Sequence, residues 1–290
     1  AFVDWLSALP IGATVVANVG DPGVEAVLDR LMDRPLRVVA YALVDASPGR
    51  GGYLRGIRDR YATAVGPAVA LLGRIAAADP DGTTLEVFGL DEPAGAMTVR
   101  LATAGRHNAA NALAVLGGAS VLGVPTDAIA SAIGGFHGVG RRLERKGESA
   151  GIVVYDDYGH HPTAIRETLG AIRQREPHRR VWAVYEPLTF HRTAAMLDAF
   201  ADVLATADAV AIADIWAGRD PDITIASAAT LAEAVSRRRP DLEVLAPGDV
   251  ETTADVLATR VRTGDAVLVM GGGRSYRIAE RLLERLEERR

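Results

Sequence analysis

The chain contains no cysteine. Disulfides, zinc–thiolate sites and a cysteine nucleophile are therefore excluded, and the absence fits a reducing compartment. Aromatics are scarce, at 5% of 290 residues. Ala, Val, Leu and Gly must then fill the core, as they do in layered helix and sheet packing. A basic excess is also missing, with a net charge of −5 and a pI near 5.7. Broad binding to nucleic acid or to an anionic membrane surface is not expected, because nothing would neutralise a run of phosphates. A local basic pocket for one small phosphorylated ligand is still compatible with this balance. No stretch approaches the roughly 18 unbroken apolar residues of a membrane span, and no charged-then-apolar leader is recognisable. The expectation is a cytoplasmic protein with no nucleic-acid and no membrane partner.

What is present is an ordinary globular composition, 49% apolar and 24% charged, and length enough for two domains. Residues 2–6 read as helix, 13–19 as a strand ending at Gly20-Asp21-Pro22-Gly23, 24–32 as helix and 37–44 as a strand. That alternation suggests βαβ units. Residues 48–57 are rich in Gly and Arg and read as a loop. Residues 68–76, 84–89 and 97–103 look like successive strands of more antiparallel character, with Asp79-Pro80-Asp81-Gly82 as a turn. An Ala-rich helix follows over 107–122, and Pro125 opens another that stops at Gly134-Gly135. The four glycines of 134–140 mark the domain boundary, giving domains 1–137 and 138–290. Beyond it the pattern is regular, with strands at 152–155, 180–185, 209–215, 242–245 and 265–270. Helices at 162–175, 194–206, 228–237, 250–262 and 275–288 alternate with them. Such alternation implies a doubly wound, mainly parallel sheet.

Asp156-Asp157-Tyr158-Gly159-His160-His161-Pro162 is the densest chemical signal in the chain. It follows an apolar strand and precedes a helix, which in an open α/β sheet is where ligands bind. A plain turn needs Gly, Pro, Asn or Asp but no His pair, although Asp157 or Tyr158 could simply cap nearby amides. Asn108 and Asn111, after Gly105-Arg106-His107, share one face of a first helical turn. Two amides, each both donor and acceptor, can read a ring such as adenine; helix capping is the competing account. Arg141 and Arg142 at the boundary could clamp phosphate or be solvated linker charge. Tyr185-Glu186-Pro187-Leu188-Thr189-Phe190-His191-Arg192-Thr193 leaves another strand. Arg192 suits a carboxylate or phosphate there; the alternative is a polar loop with Thr193 as helix cap. Gly271-Gly272-Gly273 resembles a dinucleotide-binding turn only weakly, with no acidic residue about 20 positions on. The acidic and imidazole groups at 156–161 could hold a metal by residue type, but adjacent residues rarely converge on one ion, so no metal site is assigned.

In this order and spacing the motifs resemble the Mur ligase family. The strings that carry the likeness are Gly105-Arg106-His107-Asn108 with Asn111, Gly138 to Glu144, Asp156 to Thr163, Arg192-Thr193, Ala207-Asp208 and Asp214-Ile215, and even Ala1 to Leu6 with Leu9-Pro10. The resemblance implies an α/β fold, with a C-terminal Rossmann-like doubly wound sheet at 138–290. Before it would stand part of the family's central ATPase domain, 1–137, lacking the phosphate loop, since no Gly-Lys-Ser or Gly-Lys-Thr occurs. The chain would be a fragment or a truncated relative, missing the N-terminal half of the ligase and inactive alone. The implied activity is ATP-driven amide formation in peptidoglycan synthesis, and so in cell-wall biogenesis, cell shape and division. It adds L-alanine to UDP-N-acetylmuramate through an acyl phosphate. ATP and Mg2+ are the implied cofactors, with the magnesium ligands upstream. The resemblance puts His107, Asn108 and Asn111 on the adenine side, Arg142 and Asp157 near ribose and phosphates, and His160 and His161 in the same cleft. His191, Arg192 and Thr193 fall on the amino-acid side, where Arg192 would hold the carboxylate. The sequence departs from the family at Glu186, Leu188 and Thr189, which stand for Gln, His and, in some members, Arg, and at Gly271-Gly272-Gly273-Arg274-Ser275. Ligation of a murein tripeptide, or a Mur-fold binding module without catalysis, are the alternatives.

Overall fold

The short apolar runs become strands, and the amphipathic stretches between them become helices covering both faces of two sheets. The structure, a computed structural model, describes residues 1–46, 52–90 and 96–289. These fall into two compact units, Ala1–His137 and Gly138–Arg290.

The first unit opens with α1 (Phe2–Ser7), β1 (Thr14–Asn18), α2 (Pro22–Asp29) and β2 (Arg37–Val44), the two strands pairing in parallel. Asp21 caps α2 by accepting from the Gly23 and Val24 amides, with Pro22 in the first turn. After α3 (Gly52–Arg60), β3 (Val69–Asp79) joins β2 in parallel. The turn at Asp79 then reverses the chain into β4 (Gly82–Phe88), and β5 (Met97–Leu101) completes an antiparallel half. α4 (Arg106–Val121) and α5 (Thr126–Gly134) cover one face over Leu71, Leu85, Val99, Leu113 and Leu116. A side chain at Gly117 would place Cβ 2.6 Å from Val39 Cγ1, so the close approach of α4 to the sheet requires glycine.

The 48–57 stretch differs from its reading as a loop. Residues 52–60 are helix, held because Leu54 is buried and Ile57 packs on the same core. Gly52, Gly56 and three arginines masked that apolar face in the sequence. Positions 48–51 lie outside the described residues.

The second unit runs β6 (Glu144–Ser149), β7 (Ile152–Asp157), α6 (Pro162–Arg175), β8 (Arg180–Glu186), α7 (Phe190–Ala195), α8 (Leu197–Leu204) and β9 (Ala209–Ala213). It continues with α9 (Ala228–Arg238), β10 (Glu243–Gly248), α10 (Val250–Arg260), β11 (Asp265–Gly271) and α11 (Tyr276–Glu288). The sheet order is β10-β9-β8-β11-β7-β6, parallel throughout except for β6. Separate cores form on its two faces, one containing Ile165, Phe200 and Leu231 from α6, α8 and α9, the other Leu257 and Leu282 from α10 and α11. This is the doubly wound arrangement. β7, β9 and β11 are buried along their whole length. That is why they read as unbroken apolar runs rather than alternating ones.

Two elements depart from the sequence expectation. β6, Glu-Arg-Lys-Gly-Glu-Ser, has no apolar signal, because an edge strand facing water can be charged and is protected by being so. The helix expected over 194–206 is two helices, broken at Met196 with φ −121° and ψ 22°.

At the N-terminal ends of the central strands, buried Asp265 accepts from Arg180 Nε and Nη2 and from Trp182 Nε1, each at 3.1 Å, and from the Arg262 amide at 3.0 Å. Asp265→Ala would leave the Trp182 N–H buried without an acceptor. The expected loss is about 3 kcal/mol, read as a lower urea midpoint at unchanged slope. Asp265→Asn keeps an acceptor oxygen and should lose clearly less.

Candidate active site

A parallel sheet delivers every strand's carboxyl end to one edge. β7, β11 and β8 are neighbours in register, with Met270 beside Asp157 and Gly271 beside Glu186. Their three following loops therefore converge. A Cβ built on Gly272 would lie 3.1 Å from Leu188 and 3.5 Å from His160 Nδ1, and one on Gly273 would lie 2.8 Å from both Glu186 and Trp216.

Asp156, with no accessible surface, is held by Arg141 Nε at 3.0 Å. Arg141 Nη2 also donates to the Gly271 carbonyl at 2.9 Å and to Ser275 Oγ at 3.1 Å, and its guanidinium lies against the Tyr158 and Tyr276 rings. Burial still pushes the Asp156 carboxyl above the usual aspartate range, against the Arg141 charge. Asp157 is turned inward. Its Oδ1 accepts from the Gly159 amide at 2.7 Å and from Thr168 Oγ1 at 3.3 Å, and its Oδ2 from the Leu143 amide at 2.8 Å. It thereby ties three segments together. Arg142 is exposed, stacked on Tyr158 with its carbon 5.4 Å from the ring centroid.

The two adjacent histidines carry opposite tautomers. His160 Nδ1 faces the Tyr158 carbonyl at 2.9 Å and must donate, leaving Nε2 as an acceptor. His161 Nδ1 accepts from the Thr163 amide at 3.3 Å as the cap of α6, so its exposed Nε2 carries the proton. The sequence singled out both, but His161 has this structural duty as well.

In the loop after β8, Thr189 has φ +63° and ψ 144°, a region that costs a β-branched residue on the order of 1–3 kcal/mol. It is pinned by donating to the Trp216 carbonyl at 3.0 Å, and its own carbonyl accepts from the Thr193 amide and hydroxyl. Thr193 is thus buried with its hydroxyl spent, and Thr189, not Thr193, caps α7. Arg192 is half-buried and its Nη1 is enclosed without a hydrogen-bond partner. The nearby Tyr185 hydroxyl is also enclosed without one, and burial pushes that phenol well above its usual value, with Arg192 opposing. His191 donates its amide to Asp220 Oδ2 at 2.9 Å while its Nδ1 meets Asp220 Oδ1.

Glu186 is 2% exposed, with Oε2 unpartnered. Burial raises its carboxyl, opposed by the Ser275 and Arg274 amides that lead into α11. A helix start of this kind suits a phosphate, but here the chain's own carboxylate fills the place. Gly271-Gly272-Gly273 is accordingly a packed turn and not a dinucleotide loop.

The first unit carries a cleft of about 280 Å³ at the start of α4, lined by Asn108, Asn111, Leu101, Val115, Ile133 and Phe136. Its volume is at the low end of small-molecule pockets, roughly 300–1,000 Å³, enough for a base ring more than for a whole nucleotide. Asn108 Nδ2 donates to the Ala104 carbonyl at 2.7 Å, which orients the amide. His107 sits half-buried in the same first turn. A larger groove of about 750 Å³ along β1 is lined by Phe2, Trp5 and Val16. Asn18 accepts from the Gly20 amide and Asp21 caps α2, so the groove is mainly apolar. Among the described residues no group of three or more His, Asp or Glu side chains is placed to hold a metal ion, and no helix is long and apolar enough to cross a membrane.

The profile of the Mur ligase glutamate ligase domain matches residues 141–273, from the buried arginine to the end of the glycine turn. A UDP-N-acetylmuramate–L-alanine ligase of Roseiflexus is 40% identical over 194 residues, 67% of this chain and 40% of that protein. One of Mycolicibacterium gilvum is 34% identical over 99% of this chain and 55% of itself. The chain thus spans about half, or less, of the length of these relatives. The crystal structure of a UDP-N-acetylmuramate–alanine ligase from Thermotoga maritima superposes with a TM-score of 0.66 over 92% of this chain and 55% of that one, at 19% identity. The chain belongs to the Mur ligase family.

Within this Mur ligase chain, the second unit brings Arg142, His160, His161, His191 and Arg192 to one sheet edge, and the first unit puts Asn108 and Asn111 in one cleft. Sequence reasoning passed over Asp220, which bonds His191 from 29 residues away and carries no local motif. It weighed Arg141, with Arg142, as a phosphate clamp or solvated linker charge, and assigned no site role to Asp156 or Glu186. The alternation of faces along β7 and β8 was the available signal.

Because the Glu186 carboxyl is raised on folding, its contribution to stability is fully present below the ordinary glutamate range and lost as pH rises through the raised value. Glu186→Gln removes that loss. Urea unfolding at about pH 5 and about pH 8 should show the variant gaining stability relative to the parent at the higher pH.

Proposed function

We propose that this chain is the adenine- and amino-acid-binding part of an ATP-dependent ligase that joins L-alanine to UDP-N-acetylmuramate in peptidoglycan precursor synthesis, in the cytoplasm. The sugar carboxylate attacks the γ-phosphorus of ATP, releasing ADP and leaving an acyl phosphate. The amine of L-alanine then attacks the acyl carbon and expels phosphate. Such chemistry rests on positioning and charge stabilisation.

One observation carries the reading. Arg192 holds an enclosed Nη1 with no partner at the sheet edge where ligands of this architecture bind. A buried guanidinium is costly without an anion, and an amino-acid carboxylate would complete it with two parallel bonds. Asn108 and Asn111 offer the amide pair for adenine in an apolar cleft, with His107 at the same helix start. Exposed Arg142 and the acceptor nitrogen of His160 are free to meet the nucleotide, while Asp157 positions the loop that carries them. His161 and Thr193 shape their helix starts.

The phosphate loop is assigned to polypeptide outside these 290 residues. The only lysine, Lys146, faces Glu144 at 3.6 Å and Glu280 at 4.0 Å. The described residues do not form an oxygen cage for Mg2+, and the magnesium ligands are assigned to the same outside polypeptide.

In the complete ligase, Arg192→Ala should raise KM for L-alanine by an amount equivalent to about 2–4 kcal/mol and leave KM for ATP nearly unchanged. Arg192→Lys should rescue poorly, since a point charge cannot reproduce the planar fork. Equal losses for both substrates would shift Arg192 to the phosphate side, and an unchanged alanine KM would remove it from the site. The 290-residue chain alone should release no phosphate from ATP in a steady-state assay.

A further inference from the structure

Asp220 lies on the segment between β9 and α9, and both of its oxygens are fixed on one residue. Oδ2 accepts the His191 amide at 2.9 Å, and Oδ1 meets His191 Nδ1. The Asp220 side chain is only 8% exposed, whereas that of His191 is 58% exposed. The imidazole is therefore held from the rear by a nearly buried carboxylate and open at its other nitrogen. With Nδ1–H donating to Asp220, Nε2 carries the lone pair. This is the orientation that a carboxylate imposes on a histidine that takes up protons.

We propose that the His191–Asp220 pair is the proton acceptor for the incoming amine, His191 as the catalytic residue and Asp220 as the positioning one. This rests on the assignment of Arg192 to the acceptor carboxylate. His191 and Arg192 both stand in the first turn of α7, at the exit of β8, and an α-amino acid carries its amine and carboxylate on one carbon. The proposal requires one acceptor to reach both, its carboxylate at Arg192 and its amine at His191 Nε2. An amino acid arrives as an ammonium ion, which has no lone pair. One proton passes from that nitrogen to His191 Nε2. The freed pair forms the N–C bond while the C–O bond to phosphate breaks, and the leaving phosphate takes that bond's electron pair and the nitrogen's second proton. His191 then returns its proton to solvent. The charged groups around the ring are Asp220 and Asp222 on the facing segment and Arg192 on α7 itself. His191 in turn helps hold both carboxyls below the usual aspartate range, Asp220 chiefly through the His191 amide and Asp222 chiefly through the Thr224 amide.

The test uses the complete ligase with two acceptors, L-alanine and hydroxylamine. Hydroxylamine is uncharged at neutral pH and needs no base before it attacks an acyl phosphate. His191→Asn keeps a donor toward Asp220, and Asp220→Asn keeps the loop contacts. Both variants are expected to lose on the order of 100-fold or more in kcat with L-alanine, with KM changed little, and to form hydroxamate near the parent rate. Loss with both acceptors, loss with neither, or a rise in alanine KM alone would overturn the proposal. A parent enzyme that makes hydroxamate but accepts no α-amino acid would overturn the underlying assignment of Arg192 instead. In the 290-residue chain, ring nitrogen-15 spectra above the titration range should show His191 protonated at Nδ1. Protonation at Nε2 would also overturn the proposal.

Discussion

Asp156 has no contact with water, and Arg141 is its counterion. A carboxylate so placed costs several kcal/mol unless its partner is well held. Arg141 is held by the Gly271 carbonyl, Ser275 and the rings of Tyr158 and Tyr276. Arg141 itself adopts φ +58°, a left-handed backbone that few arginines take, and its amide bonds to Glu144 at 2.8 Å. One guanidinium thereby joins the carboxyl end of β7, the glycine turn after β11, the start of α11 and the first residues of the second unit. Two residues on, the Leu143 amide donates to Asp157, one of the bonds that set the path of the 156–162 loop.

Much of this was legible in the sequence because the second unit has a sheet buried on both faces. Strands such as Val153-Val154-Tyr155 and Ala266 to Met270 carry no polar interruptions, and the helices between them carry clear caps, Ser227 and Asp249 among them. What sequence could not show follows from the same physics. β6 is at an edge, so charge replaced the apolar pattern. The strained entry at Thr189 is pinned by Trp216, 27 residues on, and leaves no local trace. The site itself was legible as residue types but not as allocations. Asp157, His161 and Thr193, read as ligand groups in one dimension, each also bond a backbone amide or carbonyl, which no sequence pattern announced.

The spent groups clarify those that remain. Buried polar atoms are normally satisfied, so the enclosed, unpartnered atoms at the ends of β7 and β8 carry information: Asp156 Oδ1, Tyr185 Oη, Glu186 Oε2 and Arg192 Nη1. They lie at one end of one sheet. At the strands' other end, Asp265 satisfies every donor it meets. Among the described residues the same unit thus gathers four such atoms at the carboxyl edge, against Ser149 Oγ near the opposite end of the strands. Stability alone would favour closing both ends, and an incomplete network at the carboxyl edge is the expected state of a site that a ligand completes.

The α11 start shows how that incompleteness is confined. Three glycines before a helix would ordinarily bring free amides to an anion. Glu186 already faces the Ser275 and Arg274 amides, and its neighbours Gly273 and Trp216 leave no room for a second anion there. The helix dipole is thus neutralised internally, and positive character at this edge is left to side chains, to Arg142 in the open and Arg192 in its enclosure. A guanidinium distinguishes ligands by shape as well as by charge. Using side chains instead of a helix start would suit the role proposed for this edge, in which a carboxylate is held in one orientation beside a proton acceptor.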